Sequence, residues 1–371
     1  MISTAELMAR RFRLRAPVST VRRLDGGHVH DSFLVGTSGA AARGYVLQRI
    51  NERVFPNVST LTATVTRVTD HLRRTATRGS DPDRRTLTVV ESVDGGAIAL
   101  DDEDRSWRAF VLITGARSRS RVDEPGAASE IAATAARFLV DLAELPAPPL
   151  VEAIPGFHDL AARREAFEAT VAAAPPVESA ACAAEIDAVR AHAPVVDELS
   201  AGRRGGALPK RTVHNDAKAA NVMVDERTGE GLCMVDLDTV APGSVLFDFG
   251  DLVRSMAAGV AEDDAETGGG PVRLRADLLE ALAAGYLGTA GGLLGADEID
   301  LLPLGGLLMT WETALRFLAD HLAGDVYYRV DRRGHNLDRA RAQLRLLDAL
   351  VAARPRMSEI VGRAATRASR G

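Results

Sequence analysis

Between Val213 and Thr239 the chain reads HNDAKAANVMVD, then the turn ERTGE, then GLCMVDLD, whose first glycine closes the turn. The two apolar runs, NVMVD and GLCMVDLD, joined by a short glycine-bearing turn, spell a β-hairpin. A hairpin fixes what flanks it. His214, Asp216 and Asn221 must stand at its entry, and Asp236 and Asp238 at its exit, so three carboxylates and an amide meet at one end of a strand pair. In an extended chain residues two apart share a face, so Asp236 and Asp238 are expected to look into one cleft. Like charges placed this way are costly unless a cation joins them, which favours a metal site.

The rest of the composition restricts the setting. With 371 residues, 46% of them hydrophobic and 26% charged, the chain can form two domains or one bilobal one. A net charge of -6 argues against nucleic acid or an anionic membrane as the main partner. Cys182 and Cys233 lie far apart and form no zinc pattern, which suits a reducing cytoplasm. The N-terminal MISTAELMARRFRLRAP carries Arg10 and Arg11 but no apolar segment after them, so it reads as a short amphipathic helix rather than an export signal. No run approaches the roughly 18 apolar residues of a membrane span. A soluble, cytoplasmic protein is expected, most simply a monomer. Of its 45 basic residues only Lys210 and Lys218 are lysines, which makes the position of each informative.

The pattern along the chain divides near residue 113. Strands are expected at Val18 to Leu24, Ser32 to Gly36, Tyr45 to Ile50, Leu87 to Ser92 and Trp107 to Ile113. One helix interrupts them at Val58 to Arg74, with Leu61, Val65, Val68 and Leu72 on one face. After Thr114 helices dominate: Pro125 to Leu145 with its apolar face of Ile131, Ala135, Phe138 and Leu142, then 159–173, 181–200, 249–260, 272–289, 297–323 and 337–353. The tail after Arg354 reads as frayed, and AEDDAETGGGP at 261–271 as an acidic, solvated loop. The expected fold is α+β and bilobal: residues 1–113 a nucleotide-binding lobe with a small antiparallel sheet and a helix, residues 114–371 a larger, mainly helical catalytic and substrate-binding lobe. The hairpin sits isolated in the second.

The spacing of His214, Asp216 and Asn221 is that of the protein-kinase catalytic loop H-R-D-x-x-x-x-N. There the aspartate accepts the substrate hydroxyl proton and the asparagine holds magnesium, while a second metal ligand arrives after the following hairpin. Asp216 is therefore the expected base, Asn221 and Asp236 the expected metal ligands, and Asp238 either a support behind the metal ligand or a substrate contact. Lys218 stands where many such loops place a lysine against the transferred phosphate. The first lobe departs from that template, because residues 1–209 contain no lysine. On the third strand, YVLQRIN, either Gln48 or Arg49 must replace it, and Arg49 is preferred for its permanent charge. Gly26 and Gly27, in RLDGGHVHDSF, allow close backbone approach to phosphates.

Taken together, GGHVHDSFLV, YVLQRIN, WRAFVLITGA, IPGFH, HNDAKAANVMVD, VDLDTVAPG with FDFGDLVRS, and RFLADHLAGDVYYRV with GHNLDRARAQ resemble the aminoglycoside phosphotransferase family of small-molecule kinases. Within it they are most similar to N-acetylhexosamine 1-kinases. The resemblance implies ATP with magnesium, transfer of the γ-phosphate to the anomeric hydroxyl of an N-acetylhexosamine, and sugar contacts at His28, Arg316 and Tyr327. The chain has His30 where that family's GHIND stretch has asparagine. Two other readings compete: an antibiotic phosphotransferase, which often has a markedly acidic pocket for a polycationic drug, and a catalytically dead scaffold, which would have no need of Asp216, Asn221 and Asp236 together.

One literal motif misleads. Asp248-Phe249-Gly250 spells the metal-holding triplet of protein kinases but lies beyond the whole hairpin. Asp236-Leu237-Asp238 is the expected working equivalent, and Asp248 is expected at a helix start, steadying the catalytic loop.

Overall fold

A computed structural model describes residues 2–24, 29–75, 81–258 and 272–370. The expected Gly26, Gly27 and His28, and the whole acidic 261–271 loop, lie outside the described residues. The first lobe is built from α1 (Ile2–Ala9), β1 (Val18–Arg23), β2 (Asp31–Thr37), β3 (Gly44–Arg49), α2 (Val58–Thr75), α3 (Pro82–Arg85), β4 (Val89–Val90), β5 (Ala99–Leu100) and β6 (Ser106–Val111). Its strands form one antiparallel sheet in the order β1-β2-β3-β6-β4, with β5 also on β6. Period-two alternation divides the sheet's faces. Phe33, Val35, Tyr45, Leu47, Trp107 and Ala109 pack with Ala5, Met8 and Ala9 of α1. On the other face Phe110 joins Leu61, Val65 and Val68 of α2 in the core shared with the second lobe.

The second lobe comprises β7 (Ala116–Arg117), α4 (Pro125–Ala143), α5 (Leu160–Ala173), α6 (Pro176–Ala181), α7 (Ala183–His192), α8 (Pro194–Arg204), β8 (Arg211–Val213), β9 (Val222–Asp225), β10 (Gly231–Met234), β11 (Ala241–Gly243), α9 (Val245–Met256), α10 (Ala276–Ala290), α11 (Ala296–Leu322) and α12 (His335–Ala368). The fold is the expected one, an antiparallel-sheet lobe joined to a helical lobe. Its hairpin is not isolated: β7 adds a third strand to β9, and β11 pairs with β8 immediately beside it.

Three local expectations change, each for a physical reason. The helix expected over 181–200 breaks at Ala193, because Pro194 has no N–H to give the preceding turn and instead opens α8. The tail is not frayed. Its apolar period continues through Met357, Ile360, Val361 and Ala364, all buried, so α12 runs on past Pro355 to Ala368, packed on α10 and α11. Helix α9 begins four residues early, at Val245, where the Ser244 side chain accepts from the backbone N–H of Leu246. Asp248 and Gly250 thus lie inside the helix.

That shift explains the literal Asp-Phe-Gly. Phe249 is core, in edge contact with Tyr286. Gly250 meets α11 at backbone distance: a Cβ on it would sit 2.1 Å from the Gly305 carbonyl oxygen, and one on Gly305 would sit 2.3 Å from that of Leu246. Neither backbone can give way cheaply, so the glycine pair sets how closely α9 and α11 approach. Gly250→Ala is expected to lower stability by about 3 kcal/mol, at the upper end of overpacking costs, read in urea denaturation; an unchanged midpoint would show that the two helices are free to separate.

Candidate active site

The catalytic-loop segment is held by its backbone. Both oxygens of Asp248 accept from main-chain donors, Oδ2 from the N–H of His214 at 2.9 Å and Oδ1 from that of Asn215 at 2.8 Å. Burial pushes the Asp248 carboxyl up, and the two N–H groups and the nearby His214 and His158 rings act against that. Asn215 takes the left-handed conformation, φ 63°, and its amide reaches the Thr239 carbonyl at 2.9 Å. Asparagine is among the few residues that adopt this region at small cost. His214 accepts the Asp216 N–H at Nδ1, 3.3 Å, and donates from Nε2 to the Val235 carbonyl, 2.9 Å, so one ring ties the entry of the hairpin to its exit.

Behind this segment the His158 ring bridges two groups, with Nδ1 2.6 Å from Glu312 Oε2 and Nε2 2.8 Å from the Asn215 carbonyl. Burial alone would raise the Glu312 carboxyl, but His158 and Arg163 hold it below its usual range. A buried pair therefore braces the carbonyl side of the same residue whose N–H Asp248 holds.

Asp216 leads into the cleft. Its Oδ2 accepts from Asn221 Nδ2 at 2.8 Å and stands 3.2 Å from Lys218 Nζ. Burial works to raise its pKa, yet Lys218, His214 and Arg254 outweigh it and the carboxyl is held low. With the Asn221 amide nitrogen also on the Asp216 carbonyl at 2.8 Å, the Asn221 Oδ1 is the atom left for another partner. Asp236 follows the return strand β10 by two residues, in a left-handed conformation, φ 61°, and lines the cleft. Desolvation and the neighbouring Asp238 and Asp216 charges raise its carboxyl.

Asp236 and Asp238 both line one cleft, as expected, but the chain between them is not extended. A tight turn at Leu237–Thr239 follows the left-handed residue and buries Asp238 to 2% exposure. Both its oxygens are taken, by Arg108 Nη1 and Nη2 at 2.6 and 2.7 Å and by His30 Nε2 at 2.6 Å. Of the expected residues, Asp216, Lys218, Asp236, Asp238, Arg316 and Tyr327 line one cleft, with Asn221 bonded to Asp216 beneath it. Arg49 is not brought to it. Alternation along β3 puts Arg49 on the face of Leu47, where it pairs with Asp31, while Gln48 faces the cleft side opposite Arg108.

The far wall comes from α11 and the loop after it. The Arg316 guanidinium lies 5.3 Å from the Phe157 ring, 5.6 Å from Tyr327 and 5.4 Å from Tyr328. The loop is shaped by Asp320, whose carboxylate accepts from the backbone N–H of Val326, Tyr327 and Tyr328 at 2.9, 2.7 and 2.9 Å, and from Asn336 Nδ2 at 2.9 Å. Asp320, Arg108, Phe157 and Tyr328 were not singled out from sequence. The strand register opposite Gln48 could have found Arg108; nothing local marks Asp320.

Comparison with known proteins agrees with this architecture. The family described as "Phosphotransferase enzyme family" matches residues 20–294. Among solved structures, a microcompartment-associated aminopropanol kinase is similar with a TM-score of 0.63 at 18% identity, covering 95% of this chain and 98% of that one. An aminoglycoside phosphotransferase from Alicyclobacillus acidocaldarius superposes with a TM-score of 0.57 at 13% identity, with 95% of each chain covered. An amicoumacin kinase in complex with AMP-PNP and Ca2+ gives 0.58 at 14%, with 92% of each chain covered. At these identities the likeness is one of fold.

Asp248→Ala would leave two buried N–H groups unpaired at the catalytic segment, at a cost of about 2 to 6 kcal/mol. The expected outcome is a lower denaturation midpoint together with lost turnover; a stable but inactive variant would show that Asp248 does more than hold the backbone.

Proposed function

The chain belongs to the phosphotransferase enzyme family, and on that premise we propose a small-molecule kinase that uses ATP with magnesium to phosphorylate a sugar hydroxyl. In its most specific form the acceptor is the anomeric hydroxyl of an N-acetylhexosamine, and the product its 1-phosphate.

The observation that carries this reading is the distribution of charge in the cleft. Among its described lining residues the carboxylates are Asp216, Asp236, Asp238 and Asp251, all on the catalytic segment, the following turn or α9. Three of the four already have a cationic partner, Asp238 in Arg108, Asp251 in Arg254 at 2.7 Å and Asp216 in Lys218 at 3.2 Å. The opposite wall supplies Phe157, Tyr327 and Tyr328 with Arg316 and Arg339, and no carboxylate. Aromatic faces and fixed donors suit a neutral sugar ring bearing hydroxyl and acetamido groups. A polycationic aminoglycoside would meet like charge there, so the antibiotic reading is the weaker one. The aromatic wall with Arg316 and Tyr327 is the proposed sugar contact; the acceptor role expected of Asp238 is set aside, because its oxygens are occupied.

In the proposed reaction Asp216, held ionised, accepts the hydroxyl proton while the oxygen attacks the γ-phosphorus in line. Lys218, beside it, brings positive charge to the phosphoryl oxygens. Asp236, raised by desolvation and by neighbouring negative charge, and the free oxygen of Asn221 are the residues that would hold magnesium, a donor set of the small size that ion accepts when phosphates complete its shell. Magnesium when bound neutralises charge on the phosphates. Among the described residues no cage of three His, Cys, Asp or Glu side chains forms, which suits a metal shared with the nucleotide. An anomeric hydroxyl is more acidic than an ordinary alcohol, which lightens the demand on a base held at low pKa. Residues 1–113 are the proposed nucleotide lobe and 114–371 the catalytic one. No helix among the described residues is long and apolar enough to cross a membrane.

ATP depletion measured across hexosamines, hexoses and aminoglycosides, with phosphorus NMR of the product, tests the reading. N-acetylhexosamines are expected to lead and to carry the phosphate on the anomeric oxygen; preference for an aminoglycoside would overturn it. Asp216→Asn is expected to bind ATP while turning over about 10²- to 10⁴-fold more slowly, and near-normal turnover would remove Asp216 from its role.

A further inference from the structure

Protein kinases order the nucleotide site with a third-strand lysine paired to a glutamate on the helix of the small lobe. This chain has neither. Position 48 is glutamine, and the only acid in Val58–Thr75 is Asp70. In that region of the sheet stands a different buried cluster. Arg108 on β6 faces Gln48 on β3, and its Nε donates to Gln48 Oε1 at 3.0 Å. Its two terminal nitrogens form the parallel pair of bonds to Asp238, which belongs to the other lobe. His30, just before β2, donates to the same carboxylate from Nε2, while its Nδ1 accepts the Asn51 N–H at 3.0 Å, which fixes the tautomer. The side chains of Arg108, Asp238 and His30 are 6%, 2% and 5% exposed. Helix α2 packs on the same turn that carries Asp238.

We propose that Arg108, Asp238 and His30 form a permanent pin between the lobes that positions Asp236. The argument is one of distance and commitment. Asp238 is two residues from Asp236 in a tight turn, so whatever fixes Asp238 limits where the Asp236 carboxylate can go. A bidentate arginine pair fixes a carboxylate in orientation as well as place. Each of its three nitrogens already donates, to Asp238 or Gln48, and the guanidinium is buried, so Arg108 is assigned as a positioning residue. The pin also gives the unusual His30 a task. Although it borders the cleft, both ring nitrogens are engaged, so His30 holds the turn and does not read the acceptor. In place of a helix that swings to complete the site, the chain uses a bond network that assembles with the fold.

The inference rests in part on the phosphotransfer reading, and its test separates the two. Amide hydrogen exchange of the 236–240 segment is measured in the wild type, in Arg108→Lys, which keeps the charge but loses the parallel bonds, and in the double replacement Arg108→Met with Asp238→Leu, which removes both charges together. Expected is local exchange faster by about tenfold or more, the scale of a contacting charged pair, with the thermal midpoint of Arg108→Lys little changed. The magnesium concentration for half-maximal activity should rise in step, with KM for the acceptor unaltered. Unchanged exchange at 236–240, or acceleration spread evenly over the sheet, would overturn the pin. If no acceptor is ever phosphorylated, the phosphotransfer reading fails and the exchange measurement still decides the pin; if the double replacement does not fold, Arg108→Lys decides it.

Discussion

The two hydrogen bonds from His214 and Asn215 to Asp248 are the contact on which the site depends. A backbone that turns through a left-handed residue has no regular neighbour to satisfy its N–H groups, and in a dry interior each unpaired donor is costly. One carboxylate on α9 meets that need for two successive residues. Because α9 is itself fixed by backbone contact with α11 through Gly250 and Gly305, the position of Asp216 is set by the packing of two long helices. The rigidity of the helical lobe is thereby passed to a loop.

The same loop is braced from its other side. His158 and Glu312 hold the Asn215 carbonyl, and the His214 ring spans from the Asp216 N–H to the Val235 carbonyl. Entry and exit of the hairpin therefore move together, which keeps Asp216 and Asp236 in register. Buried charge recurs in this region because each charged group anchors a piece of backbone that secondary structure leaves unserved. Such networks add little net stability but define one geometry.

Much of this was legible in the sequence where a local pattern carried it. The hairpin and the spacing of Asp216, Asn221 and Asp236 follow from apolar alternation and fixed offsets, and the buried face of α2, Leu61 to Leu72, from helical period. What was not legible depended on partners distant in the chain. Asp238 does line the cleft beside Asp236, but extended geometry gives no sign that its oxygens are already bonded to Arg108, 130 residues away. The permanent charge of Arg49 suits a cleft cation, but strand parity puts it on the face of Leu47 beside Asp31. The early start of α9 was signalled by Ser244, a residue type suited to capping, but the conspicuous Asp-Phe-Gly drew the boundary past it.

The anchoring of the loop after α11 has a consequence for how such a chain can change. Asp320 grips Val326, Tyr327 and Tyr328 by their backbone N–H groups alone, and any residue except proline can offer one. The path of the loop is thus indifferent to the side chains it displays. Ring size, polarity or charge at 326–328 can vary by substitution without disturbing the base or the turn beyond it. A loop built this way can change the surface it presents one side chain at a time while the backbone that carries it stays in place.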